Sequence, residues 1–317
     1  VAQFGIFNLV RNPVFKNLIV YRIGPDWSAT ASLMEEALDA TRFTPCSATQ
    51  EKAVGWIEPR GVAHGPLVEA VAGQYMLKYQ IETKAVPGSV VRRKVDELVA
   101  QIEASTGRKP GKKETKELRE DALQQLLPQA FVRQQAVLIW IDPTARLLVV
   151  DASSQAKADE VTTALVSALP GLHVALLQTQ VSPQAAMTAW LTATTPDEWP
   201  AGLSVERECE LKGGEPDKSV VKFTRHSLLN DEIRLHISQG KLPSKLALSW
   251  EGRVGLVLTE GLQLKKISFL EGVFDGPDAG KGNKDERFDT DVAISTGELG
   301  KLLLDLTAAL GGEVVRS

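Results

Sequence analysis

The sequence predicts an α+β protein with mixed, mainly antiparallel sheets and amphipathic helices. Strand-type apolar runs and helix-spaced apolar stripes are interspersed along the 317 residues without the regular βαβ rhythm of a parallel doubly wound sheet. Three consecutive strand-like runs near the C-terminus, separated by short turns, read as an antiparallel meander. An apolar fraction of 43% and a charged fraction of 24% are those of an ordinary globular chain, so neither disorder nor a fibrous class is indicated.

The elements follow in order. FKNLIVYRI, from Phe15 to Ile23, reads as a strand, and Ser28 to Ala40 as a helix carrying Leu33, Ala37 and Leu38 on one side. Lys52–Ile57 and Gln74–Thr83 read as strands separated by turn formers, among them Pro59, Gly61 and Gly73. Val91, Val95, Leu98, Val99 and Ile102 make one helical stripe, and Leu118, Ala122, Leu123, Leu126 and Leu127 a second. The intervening GRKPGKK, Gly107 to Lys113, forbids a continuous helix and predicts an exposed tip, and Pro128 marks the end of the second helix.

AVLIWID and RLLVVDA flank a turn at Pro143–Ala145 as a hairpin, followed by an alanine-rich helix from Ser154 to Leu169 and a strand at His173–Gln178. Thr192 to Gly202 reads as a polar, proline-containing stretch. Beyond it come a strand at Ser219–Thr224, a helix at Asp231–Ser238, the meander, a loop at Gly276–Lys284, a short strand at Val292–Ile294 and a helix from Gly297 to Leu310. The chain is thus read as an appended or disordered extension, 1–13; an N-terminal α/β region, 14–85; a basic two-helix tip region, 86–131; a β-β-α-β region, 132–190; and a C-terminal α+β region, 191–317. No internal repeat occurs at a fixed period.

Several function classes lose support. No window reaches 18 consecutive apolar residues, and no secretory signal is read at the N-terminus. Cys46 and Cys209 lie far apart without a CxxC, which favours a reducing, cytoplasmic compartment. Gly276 to Gly282 is one residue short of a phosphate loop and carries glycine where Ser or Thr should bind magnesium. His64, His173, His226 and His236 form no ligand pair, Cys46 sits in the apolar setting RFTPC, and Cys209 lies between glutamates expected to raise its thiol pKa. The expectation is a protein with no catalytic residues, metal or cofactor.

Charge is the informative feature. The whole chain carries −4, yet Lys84 to Arg119 holds ten basic and five acidic residues, leaving +5 there and −9 on the remainder. Such asymmetry is the footprint of a polyanion binder. Helix-face ion pairs at four-residue spacing, Arg92 with Asp96, Arg93 with Glu97, Lys113 with Glu117 and Lys116 with Glu120, offer a purely structural account of part of it. The tip resists that account, since Arg108, Lys109, Lys112 and Lys113 occur with no acid between Glu103 and Glu114. A weaker cluster runs from Lys222 through Arg225 and His226. The candidate nucleic-acid contacts are therefore Arg92, Arg93, Lys94, Arg108, Lys109, Lys112, Lys113, Lys116, Lys222, Arg225 and His226. No aromatic residues interleave with them as a single-strand stacking platform requires, and no recognition-helix or zinc-finger signature is present. Duplex backbone binding with little base readout is the natural use, with single-stranded DNA left open.

LLPQAF followed by AVLIWID and LLVVD, with FKNLIVYRI, FTPC at Phe43–Cys46, Gly55-Trp56 and KLALSW at Lys245–Trp250, resembles the bacterial recombination-associated RdgC family. The resemblance extends from about Phe15 to the terminal helix. It implies an elongated subunit, a ring-shaped homodimer that surrounds DNA without sequence preference, association with the nucleoid, and restraint of RecA-promoted recombination. It also implies that Phe131 serves a gate-like dimer contact, whereas from the residues alone Phe131 reads as a core aromatic capping the preceding helix. A basic pair on a finger-like element maps to Arg225 and His226, with histidine where the family carries a longer polar residue.

Two functions compete at this point. One is a non-specific duplex-DNA clamp. The other is a protein-interaction adaptor acting directly on the recombinase through its basic tip. Membrane-surface association is weaker, because the basic helix carries nearly as many acids as bases.

Overall fold

The computed structural model describes residues 14–216, 218–274 and 283–314; the extension 1–13 and the loop Gly276–Gly282 lie outside the described residues. The described chain is α+β, with seven α-helices and two antiparallel sheets. It divides into two units that draw on interleaved stretches of sequence. One gathers the residues up to 34, 68–76 and 138 onward, and the other gathers 35–67 and 77–137.

In the larger unit, β1 (Ile19–Ile23) pairs antiparallel with β6 (Leu147–Val150) on one side and β7 (Val174–Leu176) on the other. The far half of β5 (Phe131–Asp142) completes this part, with Ile139 opposite Val150 and Asp142 opposite Leu147. The Asp142 carboxylate accepts the backbone N–H groups of Thr144 and Ala145 at 2.9 and 2.8 Å, which closes the hairpin between β5 and β6. Ser154 caps α4 (Gln155–Ala168), and Trp140, fully buried, satisfies its indole N–H on Gln74 Oε1 at 2.7 Å.

The second sheet of this unit runs β12 (Leu264–Phe269), β11 (Val254–Thr259), β10 (Leu242–Trp250), β8 (Leu203–Lys212), β9 (Val220–Thr224). Alternation drives it: Leu246, Leu248 and Trp250 on β10 and Val254, Leu256 and Leu258 on β11 are all buried. They join Val292, Leu299, Leu302, Leu303 and Leu306 of α7 (Lys284–Ala309) in one core, which also takes in Met187 and Trp190 of α5 (Pro183–Thr192) and Ile233 of α6 (Asp231–Ser238). Each fully buried side chain of this kind contributes about 1.5–3 kcal/mol.

In the smaller unit, β2 (Lys52–Ile57) pairs antiparallel with β4 (Gln74–Ala85) from Lys52 opposite Thr83 to Ile57 opposite Lys78, and β4 neighbours β5. α2 (Gly88–Thr106) and α3 (Lys112–Leu126) form a helical hairpin around Val91, Val95 and Ala122, flanked by Leu98, Val99, Leu123 and Leu126. Of the remaining elements, α1 (Ala31–Asp39) starts in the larger unit and ends in the smaller, and β3 (Val68–Val71), which pairs with β4, belongs to the larger.

Three sequence expectations are corrected. Val292–Ile294 is not a strand but part of α7, which starts at a capping box between Asn283 and Glu286 and runs unbroken to Ala309; tertiary burial of its apolar stripe overrides the local β-branched run. Lys112 and Lys113 belong to the first turn of α3, so the tip proper is the short turn Gly107–Gly111. Phe131 opens β5 at 92% exposure and caps no core. Three strands or helices, β3, α5 and β8, lie in stretches where the sequence reading placed no element.

Candidate nucleic-acid interface

The basic hairpin is set by its apolar stripes and its turn. Gly107 ends α2 in the left-handed region at φ 71°, and its N–H returns to the Glu103 carbonyl, so the chain reverses within five residues. This reversal brings acids to the tip that linear spacing kept away. Arg108 forms a two-pronged ion pair with Glu114 at 2.8 and 3.3 Å, which holds the Glu114 carboxyl below its ordinary range and raises the Arg108 guanidinium. Lys109 lies 3.9 Å from Glu103. Two of the four tip cations are thus engaged.

Of the four helix-face pairs expected, one forms: Lys116 reaches Glu120 at 4.0 Å. Lys94 pairs instead with Glu97, at 3.6 Å. Arg92, Arg93, Lys112 and Lys113 have no acid within ion-pair distance among the described residues, and neither has Arg119, which the sequence reading counted in the basic segment but did not single out. All five are exposed.

The second cluster follows β9 in the larger unit. Lys222 Nζ lies 3.3 Å from Glu210 Oε2, in the register that places Glu210 opposite Lys222. The same carboxylate accepts from Lys245 at 3.1 Å and from the Ser244 hydroxyl at 2.8 Å, and Lys212 stands 3.9 Å away. Burial pushes the Glu210 carboxyl up, but the bonds from Ser244, Lys245 and Lys222 together outweigh it and hold it at about 2. Arg225 is exposed in the turn after β9, in the left-handed region at φ 54°. His226 Nδ1–H donates to the Ser227 carbonyl at 2.7 Å, and its Nε2 lies 3.7 Å from Glu232.

The cysteines are set by their surroundings. Burial pushes the Cys209 thiol up to about 12; its flanking glutamates are not the cause, because alternate strand residues point to opposite faces. Cys46 is also raised, by burial and then by Glu82. Among the described residues no group of three or more His, Cys, Asp or Glu side chains is placed to hold a metal ion, and no helix is long and apolar enough to cross a membrane.

Comparison with known proteins adds what geometry does not. Residues 14–313 match the family model described as "Putative exonuclease, RdgC". The chain is 39% identical over 306 residues to the recombination-associated protein RdgC of Dechloromonas aromatica, covering 96% of this chain and 99% of that protein. It is 41% identical over 299 residues to the protein of the same name from Herminiimonas arsenicoxydans, covering 94% and 98%. The relative from Bordetella pertussis is 38% identical over 299 residues, with the same coverage. An α+β chain with this match along nearly its whole length falls in the class of recombination-associated proteins. It belongs to the RdgC family.

Proposed function

We propose that this chain binds duplex DNA through its phosphates, without base readout, as a homodimer that encircles the duplex, and that by occupying DNA it restrains RecA-promoted recombination. The observation that carries the reading is the set of exposed cations on the α2–α3 hairpin, Arg92, Arg93, Lys112, Lys113 and Arg119, with no acid partner among the described residues of a chain whose net charge is −4. Lys94, Arg108, Lys109 and Lys116 already share their charge with carboxylates, as does Lys222, and they contribute less. Arg225 and His226 add a second contact at the turn after β9. The exposed ring of Phe131 supports self-association, since a phenyl group held in water is stabilised by a second apolar surface. On this reading the protein acts in the nucleoid by binding rather than cleavage.

The test is a titration of duplex DNA across salt. If six to ten phosphates are neutralised, affinity falls by about 10³–10⁵ between 50 and 200 mM salt, for unrelated sequences alike, and end-labelled duplex is recovered intact in the presence of magnesium. Charge reversal at Arg108, Lys109, Lys112 and Lys113 separates this reading from an adaptor. Loss of DNA binding supports the clamp, and retained DNA binding with lost restraint of recombination overturns it.

A further inference from the structure

In the larger unit, the register of the second sheet sets three charges in one row. Lys245 of β10 stands opposite Glu210 of β8, and Glu210 stands opposite Lys222 of β9, so the acid on the middle strand has a lysine on each side. Lys212, two residues beyond Glu210 on β8, belongs to the same face. Lys245 Nζ lies 3.1 Å from both Glu210 oxygens, Lys222 Nζ 3.3 Å from Oε2, and Lys212 Nζ 3.9 Å from Oε1. No linear spacing announces this gathering, because it joins three strands.

One buried carboxylate calls for one opposite charge and partners for its remaining lone pairs. Lys245 supplies the charge, and the Ser244 hydroxyl donates at 2.8 Å. Lys222 is then surplus. The neighbouring acids do not absorb it: Glu260 balances Lys212 at 3.3 Å, and Glu208 is engaged by Lys266 at 2.6 Å. Glu206, bonded to the Ser249 hydroxyl, lies four residues back along β8, about 13 Å away and beyond the Debye length of about 8 Å. Lys212, Lys222 and Lys245 against Glu210 and Glu260 thus leave one positive charge at the row. Exposure divides in the same way. The Glu210 side chain is 9% exposed and those of the three lysines 43–66%, so the ammonium groups face solvent with the carboxylate beneath them.

We propose that Lys222 and Lys245, with Lys212 beside them, form a phosphate-binding site on this face of the sheet, and that its ligand is a backbone phosphate of the bound duplex. The inference rests on the duplex-binding reading above and deepens it, since it adds Lys245 and Lys212 to the contacts. Lys222 taken singly shares a carboxylate and has little charge to give. With Lys245 on the same carboxylate, the pair has one charge to spare. An oxyanion seated above them relieves the repulsion between the two ammonium groups and accepts charge-assisted bonds from both. β9 is the edge of its sheet, which leaves Lys222 open to a large ligand, and the exposed Arg225 follows in the turn after the strand.

Duplex affinity of the full chain is measured against salt by fluorescence anisotropy. Lys245→Gln leaves Lys222 and Ser244 to satisfy Glu210 but removes the spare charge, and it reduces the magnitude of the slope of log affinity against log salt by about 1, the share of one phosphate. Lys222→Gln does the same. The two changes together reduce it by about 1 rather than 2, because both lysines serve one phosphate, and a reduction by about 2 overturns the shared site. Lys266→Gln, at a lysine matched one to one by Glu208, leaves the slope at the wild-type value. Thermal melting checks that each variant folds, and the single changes carry the test if the double change melts early. Wild-type binding with a slope unchanged by Lys245→Gln overturns the site and leaves duplex binding standing, whereas no binding by the wild type overturns both. Inorganic phosphate titrated without DNA separates the two sources of the ligand: a rise in melting temperature that Lys245→Gln abolishes, together with an unchanged DNA slope, assigns the site to free phosphate and overturns the backbone contact.

Discussion

Glu210 shows how much one side chain organises. Its carboxylate, with only 9% of its side chain exposed, collects Lys222, Lys245 and Lys212 on the sheet face opposite the core. Because its folded pKa, about 2, lies below the ordinary carboxylate value, the stability it contributes is fully present above about pH 4.5 and is lost as pH falls toward 2. The loss is on the order of 2–3 kcal/mol. Melting temperatures measured from pH 7 to pH 2 fall more steeply for the wild type than for Glu210→Gln, and parallel curves count against this account. Gly55 makes a different demand. A Cβ there would meet Phe43 Cα at 2.5 Å and the Thr41 carbonyl at 2.9 Å, because the Phe43 N–H donates to the Trp56 carbonyl and the Trp56 N–H donates to the Thr41 carbonyl, which holds this segment against β2. Gly55→Ala costs about 1–3 kcal/mol, read by chemical denaturation, while Gly73→Ala, with open space around it, leaves packing intact and strains only φ.

Elements were legible in the sequence where one period dominated. β2 and α6 occupy the residues that alternation and capping assign, and the meander strands follow their apolar runs. α5 escaped because the side opposite its buried face of Pro183, Ala186, Met187, Trp190 and Leu191 carries Ala185, Thr188 and Ala189 rather than charges, so the stripe has little contrast. β8 escaped because it carries Glu206, Arg207, Glu208 and Glu210 in a row that reads as solvated loop, and its pairing with β10 is interrupted by register shifts. The basic region was legible as a region, not as a site. Arg108 with Glu114 and Lys109 with Glu103 close across a turn, and Lys222 finds Glu210 across a strand register, distances that only folding creates. The helix-spaced pairs that the sequence does display formed in one case of four, as exposed pairs worth a fraction of a kcal/mol each allow.

For the whole molecule, Phe131 is the exposed aromatic on which the proposed self-association rests. Since its ring is 92% exposed, Phe131→Ala leaves the melting temperature of a dilute sample unchanged. On the proposed encircling dimer, the same change weakens self-association in sedimentation equilibrium and shortens the residence time on circular duplex. Unaltered association after the change removes Phe131 from the interface.

The two interleaved units carry one more consequence. The polypeptide passes from one to the other at residues 34–35, 67–68, 76–77 and 137–138, and β4 and β5 each supply residues to both. Neither half is therefore a contiguous module that a gene could donate or a protease release whole. A single cut or early stop between residues 35 and 137 strands part of both cores, whereas one beyond 137 divides only the larger. Ribosomal synthesis must deliver the chain well past residue 138 before the larger unit is complete, so the nascent protein spends most of its translation unfinished.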